Sequence, residues 1–525
     1  MYQLYEQRIS RLLNSGQSGL LKSGLIGLEK ETLRVGADGK IAQTPHPHAL
    51  GSALTHPYIT TDYSEALTEL ITPPFDNPVS ALDFMRDTQA FVYRQLGNEL
   101  LWATSMPCVV AGETSIPIAN YGSSNAGMMK TVYRRGLGHR YGRTMQVIAG
   151  VHFNYSVAEH FWPAYQEMEG DTSPLQEFIS EKYFDLIRNL LRYGWLIPFL
   201  FGASPAICKS FLAGKETDLD AFNNTTFYEP YATSLRMGDI GYQNNKEKAI
   251  GVRANYDSLP RYVDSLAAAI NTPYPGYEQF GILVDGEYQQ LNANILQIEN
   301  EYYSTVRPKQ LLDGNEKPIL ALKRRGVRYV ELRSLDVNAF DPLGINETQV
   351  RFLEIFMLFC LLNESPVFDS DEQAAIDQNE LLTAHMGRNS DCQLVSPQGQ
   401  KRPLQAWALE LCEQMQVIAE QLDSGDSENA YGQALAKQLE RIKDPELTPS
   451  ARMLDTMRDK GEGFFDFALR MSKQHQEYFQ KIELGAKSLG RYQAWVEESL
   501  KKQEDIEKSD SQRFAEYLAQ YFEQK

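Results

Sequence analysis

Two glutamates one pleat apart open the chemical reading of this chain. In the run GLIGLEKETLRV, residues 24–35, a strand places Glu29 and Glu31 on one face. Adjacent carboxylates call for a cation, and flanking Leu28, Leu33 and Val35 predict a covered segment. A solvated strand face is the ordinary fate of such a pair, and this run alone leaves the two readings even. The next acidic run, YITTDYSEALTELITP at 58–73, carries Asp62, Glu65 and Glu69; if extended, Glu65, Leu67, Glu69 and Ile71 share a face, with a helix as the alternative. An acid inside an apolar run is costly to bury unless something positive compensates it, which raises the case for metal ligation.

The sharpest alternation is MQVIAGVHFNYSV, residues 145–157. Met145, Val147, Ala149, Val151, Phe153, Tyr155 and Val157 face one way, and Gln146, His152 and Asn154 the other. A sparse polar face of this kind suits a site floor, and neutral histidine partners carboxylates around a divalent ion; a lone histidine is more often structural. The run RYVELRSLDV, residues 328–337, sets Glu331 and Arg333 on one face. That pair is either a salt bridge or a metal carboxylate beside a guanidinium that takes a phosphate with its planar fork. Tyr133 and Arg134 in KTVYRRG, Arg236 and Tyr242 in SLRMGDIGY, and Tyr303, Arg307 and Lys309 in EYYSTVRPK could line a pocket for a small zwitterion, although no spacing constrains them.

These residues need a scaffold, and the chain has the means to build one. It has 525 residues, 42% of them hydrophobic, enough for two to four domains or one large domain with appendages. Strand-like runs alternate with helical ones such as 81–101 as far as about residue 366, and charged, Gln-rich helical sequence follows. The expected division is a catalytic body, 1–368, and a helical C-terminal region, 369–525. The apolar runs at 195–206 and around 355–362 are too short or too broken to span a bilayer and read as core.

Charge and motifs remove other classes. A formal charge of −18 opposes sequence-independent binding to nucleic acid or anionic lipid. Neither a P-loop, a dinucleotide fingerprint, HExxH nor GxSxG is present. The five cysteines are scattered without CxxC spacing, so neither a disulfide framework nor a zinc site is expected, and a reducing compartment is. The N-terminus shows no signal-peptide pattern.

The segments GLEKETLRV, LGSALTHPYITTDYSEALTELITP, SMPC, ANYGSSNAG, GVHFNYS, FGASPA, LQIENEYY and RYVELRSLD, in order from about residue 20 to at least 365, together resemble bacterial glutamate–cysteine ligase of the proteobacterial branch. The C-terminal third resembles the family more loosely. The resemblance implies an α+β fold: a curved, mainly antiparallel sheet cradle related to glutamine synthetase, with helices outside. It implies ATP-dependent joining of the glutamate γ-carboxylate to the cysteine amine through a γ-glutamyl phosphate, as the first step of glutathione synthesis. By the same resemblance Glu29, Glu31, Asp62, Glu69, His152 and Glu331 hold more than one Mg2+ ion, with Mn2+ as a substitute. Glu29, Glu331 and Arg333 are then catalytic, and Arg333, with Lys309, faces ATP. Tyr133, Gln146, Arg236, Tyr242 and Tyr303 surround the amino acids, and Asn154 joins that wall by its strand face. Cys108 and Cys208 match family positions and are expected to pack. A cytoplasmic monomer subject to glutathione feedback is the expected state, and the polar stretch 121–138 is the first candidate for a loop closing over the acyl phosphate. Another carboxylate–amine ligase, a metal-dependent hydrolase and a non-catalytic sensor remain as rivals.

Overall fold

The computed structural model describes residues 2–241, 253–425 and 427–524. Its centre is an antiparallel sheet of seven strands: β1 (Leu25–Val35), β2 (Ile59–Thr61), β3 (Leu67–Ile71), β4 (Leu100–Leu101), β5 (Val151–Ser156), β6 (Val306–Lys309) and β7 (Tyr329–Leu335). The spatial order is β6-β7-β5-β1-β3-β2, with β4 on the end of β1. Alternation separates two faces. Ile26, Leu28, Leu70, Val151, Phe153, Tyr155, Val330 and Leu332 lie buried on one. Glu29, Glu31, Glu69, His152, Asn154 and Glu331 occupy the other.

Helices cover the apolar face. Helix α1 (Pro78–Tyr93) starts with Asn77 accepting from Val79 N and a proline in its first turn, the expected N-terminal chemistry. Helix α2 (Asn125–Tyr141), capped by Ser124, lies instead toward the polar face, where Arg134 acts on Glu69, and helix α3 (Glu347–Leu362), behind the apolar face, is capped by a box of Asn346 and Gln349. Helix α3 is almost wholly apolar and buried, as a helix inside a large core should be. Helix α4 (Ser370–Met386) begins the C-terminal region, which continues through Leu404–Asp423, Ala430–Lys443, Pro449–Lys460, Phe464–Gln480 and Ala486–Ser509 to α5 (Phe514–Glu523). Trp407, Met453, Phe464 and Phe467 join the same buried core as Leu28 and Phe153, so these helices share the body's interior. Helix α5 instead packs Phe514, Leu518 and Tyr521 on Met129 and Val132 of α2 in a second, smaller cluster.

Several expectations need correction. The helix read at 81–101 ends at Tyr93, and residues 100 and 101 form β4. The run 145–157 is not one strand: residues 144–147 make a 3-10 turn before β5. Most of the supposed closing loop 121–138 is α2. Cys108 and Cys208, expected only to pack, form a disulfide across a sequence separation of 100 with Cα atoms 5.6 Å apart. Such a pairing is invisible to local spacing, because the fold alone brings the two positions together. Cys360, Cys392 and Cys412 are free and buried. No described helix is long and apolar enough to cross a membrane.

Candidate active site

Strand register assembles the polar face. Glu29 stands opposite His152, Glu31 opposite Glu69, and Asn154 opposite Glu331. The imidazole of His152 sits among three carboxylates: Nδ1 is 3.0 Å from Glu29 Oε2 and 3.5 Å from Glu331 Oε1, and Nε2 is 3.6 Å from Glu31 Oε1. Asn154 donates to Glu29 Oε1 at 2.9 Å, and Gly150 N donates to Glu31 Oε2 at 2.7 Å. A register shift between Leu332 and Leu335 interrupts the β5–β7 ladder beside Arg333, whose Nη1 donates to Glu331 Oε1 at 3.1 Å.

The acids fall into two electrostatic groups. Burial raises Glu331, but Lys309, Arg333 and His152 overcome it and hold the carboxylate well below the usual range. Burial also raises Glu29, and the His152 hydrogen bond brings it below its ordinary value. Burial pushes Glu69 well above the carboxyl range, reinforced by the negative charges of Glu29, Asp62 and Glu31. Glu31 is raised as well, chiefly by burial, with Asp62 adding to it and His152, Arg333 and Arg236 opposing it. Protein cations thus outweigh burial on one side of the face and offset it only in part on the other.

So many carboxyl groups on one buried face are what divalent cations would hold together. Glu29, His152 and Glu331 offer ligand atoms that all lie within 4.8 Å of one another. The donor set, carboxylates with one imidazole, suits a hard or borderline divalent ion, and the buried Asn154 Oδ1 has no hydrogen-bond partner among the described residues.

The cationic residues converge from other segments. Arg236 is buried, donates from Nη2 to Arg333 O at 2.8 Å, and has Nη1 3.5 Å from Asp336 Oδ1. Lys309 Nζ lies 3.0 Å from Glu331 Oε2, an ion pair without hydrogen-bond geometry. Tyr303 is raised by burial while Arg236, Arg333 and Arg307 oppose that shift, so its ring stands among the same cations. Its hydroxyl is 3.8 Å from Met237 Sδ.

The sequence profile of the glutamate–cysteine ligase family matches residues 9–382. The chain belongs to the glutamate–cysteine ligase family. It is 49% identical over 522 residues to the glutamate–cysteine ligase of Alcanivorax borkumensis, covering 98% of this chain and 99% of that protein. It is 47% identical over 524 residues to the Azotobacter vinelandii protein of that name, covering 99% and 98%. Among solved structures, a crystal structure of the Francisella tularensis glutamate–cysteine ligase in complex with AMP superposes with a TM-score of 0.89 at 34% identity, covering 95% of this chain and 98% of that one. A bifunctional glutathione synthetase from Pasteurella multocida shares the fold, with a TM-score of 0.73 at 22% identity, covering 92% of this chain and 58% of that one.

For a glutamate–cysteine ligase family member, the remaining site expectations land unevenly. Asp62 lies between β2 and β3, and its carboxylate acts on both Glu31 and Glu69. Its backbone oxygen accepts from Arg134 Nε and, at 2.9 Å, from Tyr121 OH. Glu65 does not join the face: it lies in the turn before β3, and its carboxylate accepts from His46 N and Asn120 N. Tyr133 is half-buried on α2, and Gln146 is buried in the 3-10 turn, where it lines a cavity of about 780 Å³. Lys309 and Arg307 line another, of about 250 Å³, with Tyr262, Leu311 and Tyr329. Tyr242 lies outside the described residues.

Two contributors escaped the sequence reading. Asp336 is buried, accepts from Ala203 N at 2.8 Å and Ser234 Oγ at 3.0 Å, and faces Arg236. Gly150 leaves room for Arg236, since a Cβ there would fall 2.3 Å from its Nη2. Neither has a local pattern; each acts through a partner far along the chain.

Proposed function

We propose that the polar face of this sheet activates the γ-carboxylate of glutamate with ATP and passes it to the amine of cysteine, giving γ-glutamylcysteine, ADP and phosphate. The observation that carries this reading is the convergence of Glu29, His152 and Glu331 within one ligand sphere, beside Arg333, in a chain of the glutamate–cysteine ligase family.

A carboxylate cannot form an amide directly at neutral pH, because its oxide is a poor leaving group and the amine is mostly protonated. Phosphorylation supplies the leaving group, and the intermediate is γ-glutamyl phosphate. Bringing one anion onto another makes charge neutralisation and alignment the main tasks. Glu29, Glu31, Asp62, Glu69, His152 and Glu331 would hold more than one magnesium ion, or manganese in its place; bound there, the ions supply Lewis acidity and a template for the phosphates.

The protein's own groups do the rest. Arg333 presents a fully charged guanidinium: burial opposes its charge, but Glu331 and Glu31 raise it further above the ordinary arginine range. It is placed to take phosphate oxygens in a fork. Lys309 stands where the β6 edge opens into the smaller cavity, a suitable place for the nucleotide. Arg236 takes a carboxylate of an amino-acid substrate, and Tyr133, Gln146, Asn154, Tyr242 and Tyr303 complete that wall. A small pocket separates a thiol from a methyl by only about 1–3 kcal/mol, so 2-aminobutyrate should also be used.

Residues 1–368 form the catalytic body in this reading and 369–525 a helical region on it, which the shared core supports. A sheet curved as a cradle and kin to that of glutamine synthetase, a cytoplasmic monomer and inhibition by glutathione belong to the same reading. The test incubates purified protein with glutamate, ATP and magnesium, with and without cysteine, and follows phosphate release and product mass. ADP with γ-glutamylcysteine supports the reading; phosphate release without consumption of cysteine overturns the amine assignment.

A further inference from the structure

Arg236 is delivered by an irregular segment, 229–241, and α4 holds that segment from behind. Thr233 N and Ser234 N both donate to Ala384 O, at 2.9 and 3.2 Å, and Thr233 Oγ1 donates to Thr383 O at 2.9 Å. One residue further along, the His385 ring spans the segment. Its Nδ1 is 2.8 Å from Glu229 Oε2 and its Nε2 is 2.9 Å from Asp239 Oδ1, so one ring ties together the start and the end of the segment.

Two glycines make this approach possible. A Cβ on Gly238 would fall 2.6 Å from His385 Nε2, and one on Gly241 would fall 1.9 Å from Arg236 O. The first lets the ring lie against the backbone, and the second lets the chain fold back over Arg236. Just before them in the chain, Arg236 reaches the sheet through Arg333 O and Asp336.

Donating from both nitrogens requires the charged ring. Burial works against that charge, but the hydrogen bond and charge of Glu229, then Asp239, raise His385 above its ordinary value. Among the described residues, the other charged groups on the same cavity wall are Glu113, Lys215, Glu216 and Asp218.

The geometry points to His385 as a positioning residue for the amino-acid site: by bridging Glu229 and Asp239 it closes segment 229–241 into a clasp that fixes Arg236. The catalytic sheet thereby borrows a residue from the helix beyond residue 382, where the family match ends. The inference rests on Arg236 receiving a substrate carboxylate.

Steady-state kinetics on the full chain with glutamate, cysteine, ATP and magnesium test it, comparing wild type with His385→Gln and Arg236→Lys. His385→Gln is expected to raise the KM of one amino acid about tenfold, with kcat within about threefold and the KM for ATP unchanged. In wild type that KM is expected to rise as pH passes upward through the His385 titration, and to stay flat in His385→Gln. Unchanged amino-acid KM values in His385→Gln beside raised ones in Arg236→Lys overturn the clasp alone. Unchanged values in Arg236→Lys overturn the reading of Arg236 and the clasp with it. Parallel loss of kcat and every KM, with a lower melting temperature, also overturns it. If His385→Gln does not fold, Glu229→Leu removes one partner and leaves the ring: a selective rise in KM supports the clasp and its absence overturns it.

Discussion

Glu31 of β1 and Glu69 of β3 face each other directly in the antiparallel register. Like charges in a cross-strand pair destabilise a sheet, and here both carboxyl groups are pushed upward by burial and by their acidic neighbours. The pair is tolerable when a cation lies between the strands. Glu69→Gln should therefore melt higher than wild type by roughly 2 °C or more in metal-free buffer, while losing the stabilisation that magnesium gives wild type. Thermal unfolding with and without magnesium checks both halves. A variant that melts lower and still responds to magnesium would take Glu69 out of the ligand set.

Arg333 leans on Glu331 through a 3.1 Å hydrogen bond and is charged in every accessible condition. Lysine keeps the charge and loses the fork. Arg333→Lys should lower kcat about 100-fold or more, with the KM for cysteine little changed. Initial-rate kinetics decide the matter: a kcat within about threefold of wild type excludes Arg333 from phosphoryl transfer.

Gly150 offers a different handle on the same site. An added methyl must displace the Arg236 guanidinium, whose Nη2 would be 2.3 Å away. Gly150→Ala is expected to mimic an Arg236 variant, raising an amino-acid KM about tenfold or more with the magnesium response intact. The two effects are read by kinetics and by thermal shift on the same preparation. A Gly150→Ala enzyme with wild-type KM values would show that Arg236 does not set that affinity.

Helix α3 carries one acid into the core. Glu354 is 2% exposed and accepts a 2.7 Å hydrogen bond from Tyr431 OH, and burial pushes its carboxyl up to about 7. Between its ordinary value near 4.5 and about 7, the folded chain holds a proton that the unfolded chain releases. The contribution to stability is therefore full below that window and is lost as pH rises through it, by roughly 3 kcal/mol. Glu354→Gln should remove that slope. Denaturant unfolding at pH 5 and pH 8 measures it, and an unchanged slope in the variant assigns the pH dependence to other groups.

Period-two alternation exposed the centre of the site. Glu29 with Glu31, His152 with Asn154, and Glu331 with Arg333 each share a face because each pair lies in one strand, two residues apart. The same rule misled at Glu65 and Gln146, which fall in turns just outside β3 and β5. Strand ends depend on which neighbour is available to pair, and that is a property of the whole sheet. The roles of Asp336 and His385 were illegible for a related reason: each meets its partners through a chain separation of about a hundred residues or more. Tyr133 and Arg236 entered through resemblance, with no local pattern to mark them.

The sheet order has a consequence for the chain's early life. Glu29, Glu69, His152 and Glu331 come from four strands scattered from β1 to β7, and the central pairing of β1 with β5 joins residues 29 and 152. No hairpin or short fragment holds all four of these proposed ligands, and pairings of this range form late, after the entropy of closing long loops has been overcome. A growing or misfolded copy thus has nowhere to seat nucleotide and metal together. On the proposed reading, topology itself withholds ATP consumption until the sheet is complete, before any regulator is needed.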